Sequence, residues 1–510
     1  MKHWLLIIAV LTTACYNNLL AQQGFNTIFN QYSAVDNFAR LIVVEDTIYG
    51  IGSTYDTTIT PSPLQLLMVK FDTLGNVIQS KLYRDSLDAF LSLDFLVGNI
   101  IHTARGNLTF SATIFGRAST GVYQIDHSLE MKSVFEYPKE ENLTEFYYQM
   151  IEMPDGGFLI VGYVQRPNFL GDGFIRRVDN QGNVLWFKYY GQYTRDEAFT
   201  CISKVNDNRF VVGGWTQSIP NVTSSYRAAL WAIDSNGVLL ETWEGPATPN
   251  LISVKGLRAT PDGGFVAHGR TYWGEGQFGS KVQISLMKFN AALQLQWLQH
   301  IGPNTSNYNG IMDMTLTPDG HYIVAGQRTS FVLGQQPSTD WGGWLYKFSE
   351  QGDSLWARAD NAPPGFIPTG EYVHGGVGIL SSGSVVAGGK GDIDDKFVGW
   401  VIKVSADGCM DTLHCKSSVG VSLPELNAGL SVWPNPTTEY FRIGLEAPAG
   451  RYCLLMLHDL SGRLLQTVPI PEGTLVYTVS LEGVPEGMCM LSVTEAGKVL
   501  GREKLVVQRF

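Results

Sequence analysis

The sequence predicts an all-β protein: a seven-bladed β-propeller of four-stranded blades, followed by a small C-terminal β-sandwich. Three observations point there. A unit of roughly 55 residues recurs seven times between about residues 24 and 410. Each unit holds four short apolar or alternating runs, and no stretch of helical period is long enough to compete with them. The chain carries 55 Gly and only 16% charged residues, which suits tight turns between packed strands and not a solvated helical or disordered chain.

Two anchors mark the period. One is a β-rich run ending in a polar turn, as in Met68 to Asp72, Ile175 to Asp179, Leu230 to Asp234, Leu286 to Asn290 and Val401 to Ser405. In five of the seven copies a glycine follows three residues later: Gly75, Gly182, Gly237, Gly352 and Gly408. Glycine tolerates positive φ, so these are hairpin turns. The second anchor lies half a period away, as Asp155-Gly156-Gly157-Phe158, Asp262-Gly263-Gly264-Phe265 and Asp319-Gly320-His321-Tyr322. A four-stranded sheet has two faces to bury, and radial repetition of sheet on sheet buries both.

The ends of the array agree with a closed ring. The seventh unit stops after its third strand at Ser405, whereas Phe25 to Tyr32 reads like a fourth strand. The N-terminus is therefore expected to supply the outer strand of the last blade and to remove the open edge that a solenoid would leave. An open solenoid and a ring of six or eight blades are the alternatives.

Lys2 and His3 precede an apolar stretch, Trp4 to Leu11, too short to span a bilayer, so residues 1–21 read as a secretory signal peptide and the mature chain as exported. Cys15 raises lipidation as an alternative, which Thr12-Thr13-Ala14 before it fits poorly. The formal net charge of −11, with no basic cluster, argues against nucleic acid as a partner. In an oxidising compartment Cys409 and Cys415 are candidates for a small loop-closing disulfide that pins the last strand. Cys201 reads as a small buried apolar residue, and pairing of Cys453 with Cys489 is left open.

Catalytic motifs are missing. There is no His-Glu-x-x-His, Cys-x-x-Cys, Walker loop or Gly-x-Ser-x-Gly, and the nine histidines show no shared metal spacing. Asp179 to Trp186 looks like a sialidase Asp-box or a tryptophan-docking repeat, yet Gln181 replaces the box acid and the Asp-to-Gly spacing is one short of the docking motif. A hairpin turn followed by a Trp packed between blades accounts for it. No cofactor is signalled, with Ca²⁺ the one ion the pattern admits: Asp392, Asp394 and Asp395 place carboxylates at close positions in a loop, although the EF-hand Gly and closing Glu are absent.

Loop lengths separate the two faces. The first-to-second and third-to-fourth turns of each blade are short and share one face. The second-to-third connections, Thr54 to Gln65, Val164 to Asp172, Arg270 to Val282, Arg328 to Gly342 and Lys390 to Lys396, read as long loops on the other. They carry Tyr55, Phe169, Tyr272, Trp273, Phe278, Phe331 and Trp341, aromatics suited to a sugar ring or a protein hot spot, so these are the candidate ligand-binding residues.

The C-terminal segment carries a family resemblance. Leu430 to Thr438 with its Pro434-Asn435-Pro436, then Leu457 to Leu464 with Asp459 and Gly462, then Leu481, Gly487-Met488 and Lys504 to Val507, resemble in order and spacing the type A sorting domain of the type IX secretion system. The resemblance implies a small β-sandwich read by an outer-membrane translocon, then removed by a sortase-like peptidase as the passenger is released or joined to the cell surface. Trp433 stands where Tyr or Phe is usual, and Cys489 where Tyr often follows Gly-Met. The expected organisation is thus 1–21 signal peptide, 22–415 propeller, 416–429 linker and 430–510 sorting domain, with no transmembrane span in the mature chain.

Two functions compete at this stage. One is a secreted or surface-attached, non-catalytic propeller that binds an extracellular glycan or protein through its long-loop face. The other is a secreted propeller enzyme, a glycan hydrolase or lyase. Two carboxylates or an Arg cluster converging on the channel would favour the enzyme. Inner-strand stretches such as Val373 to Leu380 offer little charge, which favours binding.

Overall fold

Sheet topology fixes the architecture. The structure is a computed structural model, and it describes residues 24–410 and 430–507 apart from positions 34, 56–63, 84–89, 93–98, 116–118, 139–142, 167–169, 192–193, 218, 220–224, 247–249, 274–280, 302–308, 330–340, 362, 364, 367, 435–436, 446, 452, 460–463 and 496–497. The expected signal segment 1–21, Cys15, Cys415 and the expected linker 416–429 lie outside the described residues, and nothing before residue 24 is described. The chain divides into two compact units, 1–421 and 422–510. Among the described residues there is no α-helix, and no helix long and apolar enough to cross a membrane.

The first unit is a seven-bladed β-propeller. Its blades are antiparallel sheets read in chain order from the axis outwards, each with four strand positions. Blade 1 runs Asn37–Val44, Thr47–Tyr55, Leu64–Phe71 and Val77–Tyr83. Blades 3 to 6 repeat that order from Thr144 to Asp360. In blade 2 the inner position is split into Phe90–Ser92 and Ile100–His102, both paired with Leu108–Phe115. Blade 7 contributes Pro368–Ile379, Val385–Ile393 and Lys396–Val404, and its outer strand comes from the front of the chain. Phe25–Phe29 pairs antiparallel with Lys396–Val404, from Phe25 opposite Lys403 to Phe29 opposite Gly399. The Trp400 indole N–H donates to Asn26 Oδ1 at 2.7 Å across this seam. The Asp36 amide then donates to the Phe397 carbonyl at 2.9 Å as the chain turns into blade 1.

Each blade buries both faces against its neighbours. Leu159, Val161 and Ile175 of blade 3 pack with Phe199, Phe210 and Trp231 of blade 4. The same kind of cluster closes the ring: Phe38, Leu41 and Val69 of blade 1 pack with Leu380, Val386 and Val401 of blade 7, with Phe29 between them. Burial of this apolar surface is the main stabilising term, and a closed ring leaves no blade with a bare face.

The recurrent turns have a shared chemistry. Asp72, Asp179 and Asp234 each accept hydrogen bonds through Oδ1 from the amides two and four residues on, at 2.8 to 2.9 Å. Gly75, Gly182 and Gly237 complete those turns at φ of 85°, 86° and 71°. Where no glycine is present, Leu129 and Leu293 take positive φ instead.

The two sequence anchors also bind each other. Buried Lys288 and Lys347, in the third strands of blades 5 and 6, reach Asp262 at 2.8 Å and Asp319 at 2.9 Å in the first-to-second turns of the same blades. Burial raises the Asp262 carboxyl, but hydrogen bonds from Lys288 and Thr260 outweigh it and hold the group at about 2. Outer-strand tryptophans tie consecutive blades: Trp297 Nε1 donates to the Glu350 carbonyl at 3.1 Å, and Trp356 Nε1 to Ala406 at 3.0 Å.

The second unit is a small two-sheet domain. Leu430–Trp433, Tyr440–Leu445 and Val476–Ser480 form one sheet; Leu464–Ile470, Cys453–Asp459, Gly487–Glu495 and Lys498–Val507 form the other. Phe441, Ile443, Leu455, Leu457, Leu491 and Leu505 share one core between them.

Candidate binding cavity on the propeller axis

All seven inner strand positions converge on the axis, and there they enclose a cavity of about 550 Å³. Its lining includes Arg40 from blade 1, Ile100 from blade 2, Tyr148 and Gln149 from blade 3, Lys255 and Arg258 from blade 5, Asp313 from blade 6 and Val377 from blade 7. Thr315, Leu316 and Ile379, at the C-terminal ends of their strands, carry the space toward the short-turn rim. The volume falls in the range of sites for small ligands.

The cavity is cationic in an acidic protein. Three cations, Arg40, Lys255 and Arg258, face one carboxylate among the described lining residues, Asp313. That carboxylate is already engaged. Asp313 accepts from Arg258 Nη2 at 2.9 Å, from the Met314 amide at 2.8 Å and from the Val377 amide at 3.1 Å, which ties blades 5, 6 and 7 together. Arg40 spends part of its guanidinium on the carbonyls of Ala39 and Gly375, at 3.1 and 3.3 Å.

Lys255 is different. It is half-buried in the cavity wall, and its ammonium sits 4.7 Å from the centre of the Trp215 ring. Among the described residues no carboxylate or hydrogen-bond acceptor pairs with it. Burial, with the nearby Arg270 charge adding to it, pushes its pKa down to about 7. His268, buried on the next strand, is held neutral by burial and then by Arg258, with its pKa lowered to about 3. An ammonium without a counter-charge in such surroundings costs free energy that an incoming anion removes.

This corrects the expectation that the inner strands carry little charge. Blades 1 to 6 each contribute one or two polar residues to the lining, and only ring closure brings them together. An Arg cluster, which would favour an enzyme, is thus partly present, without a second carboxylate among the described lining residues.

The long-loop residues fare unevenly. Tyr55 ends its strand 41% exposed. Tyr272 and Trp273 end the strand Phe265–Trp273, with Tyr272 half-buried, and Trp341 begins Trp341–Phe348. Phe169, Phe278 and Phe331 lie outside the described residues. One connection was misread. Lys390 to Lys396 is a hairpin in which Ile393 pairs with Lys396, so only two residues form the turn. Those residues, Asp394 and Asp395, both take positive φ, 50° and 59°, as a type I′ turn requires. The Asp392 carbonyl accepts from the Tyr372 hydroxyl at 2.9 Å. No group of three His, Cys, Asp or Glu side chains able to hold a metal gathers among the described residues, and the Asp392, Asp394 and Asp395 set is no exception.

Cys409 is disulfide-bonded, with its partner outside the described residues. Cys201, Cys453 and Cys489 are buried and form no disulfide. Cys453 lies opposite Glu495 and Cys489 opposite Asp459, at the two ends of one strand pair about 20 Å long, too far apart to bridge. In the second unit Pro434 follows a cis peptide bond, Asp459 ends a strand, and Gly487 opens one at φ 137°. Asn435, Pro436 and Gly462 lie outside the described residues.

Several solved structures are similar in fold. The β-propeller domain of the Trilobed protease from Pyrococcus furiosus matches at 10% identity over 74% of this chain and 95% of its own, with a TM-score of 0.40. The WD40 domain of SCAP from fission yeast matches at 12% identity over 75% and 98%, with a TM-score of 0.36. An α-L-arabinanase of Penicillium chrysogenum matches at 12% identity over 60% and 92%, with a TM-score of 0.39. At these values they add nothing to the fold, which rests on the sheet topology. No curated protein matches the chain in sequence. Residues 431–508 match the family model of a secretion system C-terminal sorting domain, which marks the chain as secreted or attached at the outer-membrane surface.

Proposed function

We propose that the mature chain is an extracellular binding protein whose propeller takes an acidic glycan at its axial cavity. The secretion translocon reads the sorting domain, and a sortase-like peptidase removes it. The observation that carries the ligand class is Lys255, a half-buried ammonium in the cavity wall without a counter-charge among the described residues, beside Arg40 and Arg258. A carboxylate or sulfate on the ligand supplies the missing charge, and charge-assisted hydrogen bonds of this kind are the strong ones. Trp215 offers an aromatic wall to a sugar ring. Tyr55, Tyr272, Trp273 and Trp341 remain candidate contacts where the glycan passes the long-loop rim.

A hydrolase is less well supported. Glycoside hydrolysis in its usual form needs two carboxylates facing the scissile bond. Among the described lining residues Asp313 stands alone and is occupied.

The test is direct binding by the purified mature chain to uronate-bearing, sulfated and neutral oligosaccharides. Acidic glycans are expected to bind and neutral ones not, with at least a tenfold loss in Lys255→Gln. Equal binding of neutral glycans, or full affinity in Lys255→Gln, moves the site to the loop rim; binding of a surface protein alone overturns the glycan reading.

A further inference from the structure

The face with the short turns, which the sequence presents as plain, carries a paired imidazole site. His102 ends the inner strand of blade 2, and His127 lies in the third-to-fourth turn of the same blade. Their Nε2 atoms stand 3.3 Å apart, with His102 exposed and His127 half-buried. Neither residue is among those that line the axial cavity. We propose that His102 and His127 together bind a divalent transition metal of the Zn²⁺, Ni²⁺ or Cu²⁺ class, with water completing the coordination.

The spacing of the two rings fits two ligands of one metal ion. Two imidazoles bound tetrahedrally at Zn–N distances near 2.05 Å place their nitrogens about 3.3 Å apart and their ring centres about 5.2 Å apart. A straight N–H···N bond of the same length would separate the ring centres by about 5.6 Å, because both rings then lie on one line. The observed separation of the ring centres is 5.2 Å, with the planes 70° apart. Both separations match those of two imidazoles on one tetrahedral metal, and the His102 side of the pair is exposed.

The surroundings orient the pair. Tyr49 of blade 1 is buried, and its hydroxyl lies 2.9 Å from His127 Nδ1. A metal on His127 Nε2 would place the ring proton on Nδ1, where the Tyr49 hydroxyl can accept it. In that tautomer Nε2 is free for a metal, and a hydroxyl on the other ring nitrogen is the outer-shell pattern that metal-bound histidines use. The backbone of His127 is held in turn, since Lys70 Nζ donates to its carbonyl at 3.0 Å. Imidazole ligands select these metals over Ca²⁺ and Mg²⁺, which prefer oxygen.

The experiment is calorimetric titration of the untagged, chelator-treated mature chain with Zn²⁺ or Ni²⁺ alone. One equivalent is expected to bind, with binding abolished in both His102→Ala and His127→Ala. Tyr49→Phe is expected to weaken it tenfold or more, and Lys255→Gln to leave it unchanged. His102 is exposed, so His102→Ala should keep the near-ultraviolet circular dichroism of the parent and remain informative. No saturable binding by the parent chain, or parental binding in both histidine variants, overturns the proposal.

Discussion

His374 shows what burial does to a single titratable side chain. It sits in the inner strand of blade 7, fully buried and stacked 4.4 Å from the Trp400 ring, with neither ring nitrogen hydrogen-bonded among the described residues. Burial pushes its pKa down to about 4, more than the Asp360 charge raises it. The unfolded chain, with an ordinary histidine pKa near 6.5, binds the proton first as pH falls. The stability due to this residue is therefore complete above about pH 6.5 and is lost between there and about pH 4. Denaturant unfolding at pH 7.5 and pH 5 should show that His374→Phe removes about 2 kcal/mol of the acid-side loss. An unchanged pH dependence in that variant would mean that His374 is already solvated. None of this is legible in sequence, where His374 is one of nine scattered histidines and its Trp400 partner is 26 positions away.

At the scale of elements the sequence is far more readable, because strand period and turn chemistry are local. The outer strand Phe25–Phe29 is visible by its likeness to other fourth strands, and its pairing with Lys396–Val404 follows from the missing position in the last unit. The reading stopped short at Lys390 to Lys396, since a polar run of aspartates looks like a loop whether or not it turns in two residues. The Lys288–Asp262 and Lys347–Asp319 pairs were also missed, although each joins the two anchors that define the repeat. Closure by the front strand has an energetic consequence. Phe29 is 1% exposed and packs against Phe38, Leu41 and Val401, so Phe29→Ala should cost about 3–5 kcal/mol. A cost below about 1 kcal/mol, measured by urea unfolding, would mean that blades 1 and 7 are not stapled by this strand.

For the whole molecule, the repeat and the sorting tail were plain from sequence, but the chemistry of the axis was not. Arg40, Lys255, Arg258 and Asp313 are separated by up to 273 positions and sit within a net charge of −11, so no local pattern marks them as a cluster. Closing the ring makes them neighbours, and the same closure desolvates Lys255. A folded chain of negative charge then presents a local positive field to acidic ligands at its centre, while its surface repels them. Affinity should fall as pH rises through 7, because the free ammonium loses its proton there.

The pKa of Lys255, followed by nuclear magnetic resonance of the mature chain carrying isotope-labelled lysine, tests this most directly, with Lys255→Gln identifying the signal. The account predicts titration near 7 in the free protein and a clear upward shift once a uronate-bearing oligosaccharide is bound. An ordinary lysine titration near 10.4 in the free protein, unmoved by any acidic ligand, would contradict it.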